Sequence, residues 1–108
     1  MTSTQLKDLI GLEEGLDYEN LGAKSFEKIV ADALRQHGHV QTQFPVSNRG
    51  DGRRGKIDIV FTYKGQRIPI EIDRKSPRQK SIFKVRSIND KVGFLITRSP
   101  FGILALVA

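Results

Sequence analysis

The stretch RIPIEIDRKS, Arg67 to Ser76, carries Glu71, Asp73 and Lys75 at every second position, offset by one from Ile68, Ile70 and Ile72. A period of two is that of a half-buried β-strand, so the charged side chains share one face and stand about 6.6 Å apart along it. Carboxylates at that spacing repel and add nothing to packing. A second alternating run, KIDIVFTY, places Asp58 between Ile57 and Ile59, and only KGQ separates the two runs. A connection that short makes them an antiparallel hairpin, on which Asp58, Glu71 and Asp73 can converge. A hard divalent cation, Mg2+ or Mn2+ in its place, binds through one or two protein carboxylates together with water and substrate phosphate, and it relieves their repulsion. Such an ion polarises a phosphoryl oxygen and lowers the pKa of a bound water, while a nearby lysine orients the water or balances charge. That is the chemistry of phosphodiester hydrolysis.

The elements that must position these residues follow from periodicity and punctuation. Thr4 to Gly11 predicts a short helix within a helical N-terminal extension, residues 1–16. A stronger helix is predicted from about Tyr18 to His37, capped by Asp17, with Leu21, Phe26, Ile29, Val30, Ala33 and Leu34 at helical spacing and Gly38 as its stop. HVQTQFPV reads as a first strand and SNRGDGRRGK as a loop, ahead of the hairpin strands KIDIVFTY and RIPIEID. A further helix follows, with Ser76 as its cap and Pro77 in its first turn; then come VGFLIT, an apolar run suited to a buried strand, and ILALVA, a last strand. The expected fold is α/β in a single domain spanning 1–108: helix, three-strand antiparallel meander, helix and one or two further strands, forming a mixed sheet flanked by helices.

Composition sets the setting. Of 108 residues, 38% are apolar and 28% charged, the balance of an ordinary globular domain. The 18 Lys and Arg against 12 Asp and Glu give a net charge of +6, a field that favours polyanions such as nucleic acid. The absence of cysteine excludes disulfides and thiolate metal sites. With no signal-peptide pattern and no apolar run approaching the roughly 20 residues a membrane span requires, the expectation is an intracellular, cytoplasmic protein without a membrane partner. His37 and His39 flank a helix-ending glycine without partners for catalysis, and the RGD tripeptide is treated as chance.

The order SFEKIVADAL, GKIDIVF, IPIEIDRK, helix, strand resembles that of the PD-(D/E)XK nuclease superfamily over about residues 20 to 98, and is similar to small restriction, repair and junction-resolving endonucleases. The resemblance implies a restriction-endonuclease-like core and an Mg2+-dependent endodeoxyribonuclease, with Glu27 on the first helix added to the site. It implies Asp58 and Glu71 as metal ligands, Asp73 as a further ligand or base, and Lys75 as charge stabiliser. Two registers stay open. In one, Glu71 is the motif acid and Asp73 occupies the usual lysine position, with Lys75, or Lys80 on the following helix, supplying the ammonium. In the other, Asp73 and Lys75 form the motif around Arg74.

Phosphate contacts are expected from Arg49, Arg53 and Arg54 of the loop, and from Arg74, Arg78, Lys80 and Lys84 around the second helix. The expected partner is DNA, and cutting two strands calls for a symmetric homodimer. Two other functions are compatible with the same residues: a non-cleaving nucleic-acid-binding module on a degenerate nuclease fold, and a nuclease acting on RNA.

Overall fold

Each strand lies beside its neighbour in sequence, because all connections but one are too short to cross over. The computed structural model describes residues 1–88 and 91–107. It contains α1 (Ser3–Ile10), a 3-10 turn (Glu19–Leu21), α2 (Ala23–Arg35), β1 (His39–Val46), β2 (Gly55–Tyr63), β3 (Gln66–Asp73), α3 (Gln79–Ser87), β4 (Val92–Arg98) and β5 (Phe101–Val107). The sheet order is β1-β2-β3-β4-β5. Only β3 and β4, joined through α3, run parallel; the other neighbours are antiparallel. The β2–β3 hairpin turns on Lys64 and Gly65 at φ 50° and 79°, the left-handed pair that a two-residue turn between twisted strands requires. The chain is therefore α/β, a five-stranded mixed sheet with three helices.

The alternation of the strands sorts residues between two helical layers. Ile59, Phe61, Ile68, Ile70, Phe94 and Ile96 form one core with Leu6 and Ile10 of α1 and Phe26, Val30, Ala31 and Leu34 of α2. The opposite face is covered by α3, which comes so close that a Cβ on Gly93 would stand 2.2 Å from Val85 Cγ1 and 3.1 Å from Pro69 Cγ. Glu71 and Asp73 lie on that face, beneath α3. Among the described residues no helix is long and apolar enough to cross a membrane.

Two helix starts differ from expectation. Gly22, at φ 76°, breaks the expected Tyr18–His37 helix, so that α2 begins at Ala23 and Asp17 caps only the 3-10 turn, accepting from Glu19 N–H at 2.8 Å. The third helix starts at Gln79 and is not capped by Ser76: Asp73, at the end of β3, accepts from Arg78 N–H at 3.1 Å and from the Ser81 hydroxyl at 3.1 Å. A buried carboxylate from the sheet outcompetes a local serine because its bonds are charge-assisted and shielded from water. Ala108, the last residue of the expected final strand, lies outside the described residues.

The contact at Gly93 gives a direct prediction. Its obstacle is steric and not conformational, so Gly93→Ala should lift α3 off the sheet and cost about 1–3 kcal/mol in urea unfolding. An unfolding midpoint equal to wild type would mean that α3 is not held at this distance.

Candidate functional site

The β2–β3 ladder pairs backbone with backbone from Tyr63–Gln66 to Ile59–Ile70. One residue further on, side chains take over the pairing. Asp58 N–H donates to Glu71 Oε2 at 2.8 Å, and Ile72 N–H donates to Asp58 Oδ2 at 2.8 Å. The strands part here, and each carboxylate satisfies an amide of the other strand that the ladder no longer reaches. Asp58 and Glu71 are thus fixed in orientation by the backbone itself.

Glu71 is 1% exposed, and a lone carboxylate there would face a steep desolvation cost. Lys84 of α3 compensates: its Nζ lies 2.5 Å from Glu71 Oε1 and donates to the Lys56 carbonyl at 2.9 Å. Lys84 was expected to face phosphate, but it is only 8% exposed. Its position follows from the helix period: Ser81, Lys84 and Val85 form the buried stripe of α3, with Ser81 on Asp73 and Val85 over Gly93. Gly55, the first residue of β2, leaves room beside it, since a Cβ there would stand 3.4 Å from Lys84 Cδ and 2.8 Å from Arg49 Cβ.

A third carboxylate arrives from the other layer. Glu27 sits one turn before buried Ala31 on the flank of α2, and its Oε1 accepts from Gln43 Nε2 at 2.9 Å. Gln43, at φ 53°, stands opposite Asp58 in the β1–β2 register. Asp58 is within hydrogen-bonding reach of both Glu27 and Glu71. The three acids form the floor of an open cavity of about 950 Å³. Arg74, Lys75 and Arg78 line it, together with Lys24, Lys56 and Arg98, which the sequence reading had not singled out. Lys24 lies three residues before Glu27 on α2, a helical-face relation legible in the sequence. Arg98 acquires its place only through the β3–β4 crossover.

Asp73, Arg74 and Lys75 line the cavity but not in the expected arrangement, and Lys80, Arg49, Arg53 and Arg54 lie outside it. Asp73 is 4% exposed and committed to Arg78, with 2.6 Å between Oδ1 and Nε, and to Ser81; it organises α3 where a metal ligand was expected. Lys75 is not on the strand face of Glu71, because β3 ends at Asp73; it is exposed at the cavity rim. Lys80 is exposed and does not line the cavity. Arg74 pairs with Glu19 at the rim. Arg49 is bound to Asp51 with both nitrogens near 3 Å, and Arg53 and Arg54 are exposed on the same loop, outside the cavity lining.

Among the described residues no three His, Cys, Asp or Glu side chains are gathered closely enough to hold a metal ion by themselves. A site for Mg2+ does not require three, and Asp58 with Glu71 suits an ion whose remaining ligands are waters and phosphate oxygens. Both carboxylates have lone pairs beyond those used by the two amides and Lys84. The chain matches no protein-family model and no curated protein.

The acids also share a proton problem. Burial, then the neighbouring Asp58, pushes Glu71 up from 4.5 to about 8, against the opposing pull of Lys84. The same two causes raise Glu27 from 4.5 to about 7. The folded state therefore holds these protons more tightly than the unfolded chain, so the stability they contribute is complete below pH 4.5 and is lost as pH rises through about 7 and about 8. Without divalent ions, the melting temperature should fall between pH 5 and pH 8.5, and Asp58→Asn should flatten that fall. A pH-independent melting temperature in the wild type would contradict the clustering.

Proposed function

We propose that this chain is a metal-dependent endonuclease that hydrolyses phosphodiester bonds of DNA on a restriction-endonuclease-like core. The observation that carries the reading is the meeting of Asp58 and Glu71 at the parted ends of β2 and β3, with Lys84 on Glu71 and Glu27 behind Asp58. Asp58 and Glu71 would hold the cation, which when bound supplies Lewis acidity to the phosphoryl oxygen and a more acidic water. Lys84 locks the Glu71 carboxylate and places a positive charge beside the reacting phosphate. It takes the role assigned to Lys75, and Glu71 becomes the motif acid. Glu27, raised to about 7, is poised to accept or return a proton near neutral pH. Rim cations hold the nucleic-acid backbone, so affinity should fall with salt at a log-log slope near −0.9 per phosphate contact on duplex DNA.

One observation favours a second reading, a binding module without hydrolysis. Each Glu71 oxygen already has a partner, Lys84 or the Asp58 amide, and Asp73 is fully engaged in the fold. A plasmid assay separates the two: the nuclease nicks or linearises DNA with Mg2+ or Mn2+ and stops with chelator, whereas the module shifts DNA without cutting it. RNA is tested in the same assay.

In the nuclease, Asp58→Asn and Glu71→Gln should each lower the single-turnover rate by at least about 100-fold, the scale of losing transition-state electrostatics. DNA affinity should change little. Lys84→Met should lower the rate in the same way, while Lys75→Ala and Lys80→Ala stay within a few-fold of wild type. Full activity in Lys84→Met with loss in Lys75→Ala would return the lysine role to the rim.

A further inference from the structure

The two edges of the sheet are unlike. The β1 edge carries Gln41, Gln43 and Pro45 exposed along it, and a proline removes a donor from the edge, a common protection against pairing. The β5 edge, FGILALV, has no charged, polar or proline residue over Phe101–Val107. Its first residue is covered, since Phe101 N–H donates to the Leu16 carbonyl at 2.7 Å and the Phe101 carbonyl accepts from Gly15 N–H at 2.8 Å. From Gly102 onward, no outward backbone bond is found among the described residues. Gly102 and Ile103 line a small cavity with Ser3, Thr4, Lys7 and Glu14, and beyond them Leu104 is 53% and Val107 73% exposed.

We infer that β5 pairs antiparallel with β5 of a second copy of this chain, about a two-fold axis near Leu104 and Ala105. Three features select a second copy as the occupant. An antiparallel strand pair is self-complementary, so one apolar strand supplies both halves of an isologous contact. Leu104 is the central residue of the strand, so the axis sets it against Leu104 or Leu106 of the other copy and covers it in either register. The chain carries +6, so two copies repel overall, and a strand without charged residues is the place where contact adds no local like-charge repulsion. The two five-stranded sheets then become one continuous sheet. Contact through a single strand from each copy belongs at the small end of specific interfaces, below about 1,200 Å², and dissociation should be on the order of micromolar.

The pairing rests on the edge alone; what it does for cleavage rests on the nuclease reading. In the dimer two copies of the candidate site are related by the two-fold, the arrangement needed to cut two strands of one DNA.

The chain's lack of cysteine makes a single introduced thiol an unambiguous reporter. Sedimentation of the wild-type chain from micromolar to submillimolar concentration should show a monomer–dimer equilibrium. Leu104→Lys should remain folded by circular dichroism and stay monomeric. Leu104→Cys where Leu104 faces its own copy, or Ala105→Cys where Leu104 faces Leu106, should form a disulfide-linked dimer under mild oxidation, while Gln41→Cys on β1 should not; this pair of variants decides the matter even if Leu104→Lys fails to fold. A wild-type monomer throughout, equal cross-linking at both edges, or a dimer that survives in Leu104→Lys would overturn the pairing. On plasmid, Leu104→Lys should nick but no longer linearise. If the wild type dimerises through Leu104 and cuts nothing under any metal, the nuclease reading fails and the interface stands.

Discussion

Lys84 is the charge that opposes the protonation which burial and Asp58 press on Glu71. A carboxylate at the buried end of a central strand loses its hydration, and removing one partner from such a pair typically costs about 3–5 kcal/mol. Much of the surrounding structure serves to bring that ammonium to that oxygen. The helix must cross the sheet at one height, which Gly93 permits by lacking a side chain beneath Val85. It must also begin at one residue, which Asp73 enforces by binding Arg78 and Ser81. Glu71 and Asp73, two residues apart on one strand face, therefore divide the labour: one lies in the floor of the cavity, and the other anchors the helix that completes it.

The parting of β2 and β3 has a similar logic. A regular ladder would satisfy the amides of Asp58 and Ile72 with carbonyls, leaving the side chains to point away from the strands. Here the carboxylates themselves accept those amides. The acids gain orientation from backbone amides as well as from Lys84, and the opened sheet leaves the space that Glu27 enters from α2 and Gln43 borders from β1.

Much of this was legible in the sequence. The period-two runs gave the hairpin and a convergence of Asp58, Glu71 and Asp73, because alternation is a local property that burial on one face enforces; that Asp73 would turn to α3 was not visible in them. The strand β1 was read with the bounds His39–Val46 that it has in the fold. The lysine was not legible, since Lys75, Lys80 and Lys84 differ only in where the β3 strand stops and where α3 starts. Those two ends are set by Asp73, a tertiary cap that local signals at Ser76 and Pro77 could not reveal. The early helix start at Tyr18 failed for a different reason: Gly22, a poor helix residue that takes positive φ freely, was a local break signal inside the apolar period, and the packing of Tyr18 against Phe26 and Phe101 accompanies the turn before it.

Charge on the scale of the cavity connects these local facts to the proposed chemistry. Seven cationic side chains line it against four acidic ones, so it remains attractive to a polyanion even though its floor is acidic. A phosphate drawn in by the rim would be repelled by Asp58 and Glu71 once it came within a few ångströms of both. Two species can resolve that conflict: protons, which the raised Glu27 and Glu71 already favour near neutral pH, or a divalent cation, which displaces those protons and attracts the phosphate as well. Protonation removes the repulsion but gives nothing to activate a water. A cation would do both, and this is the physical ground on which the proposed nuclease is preferred to the binding module.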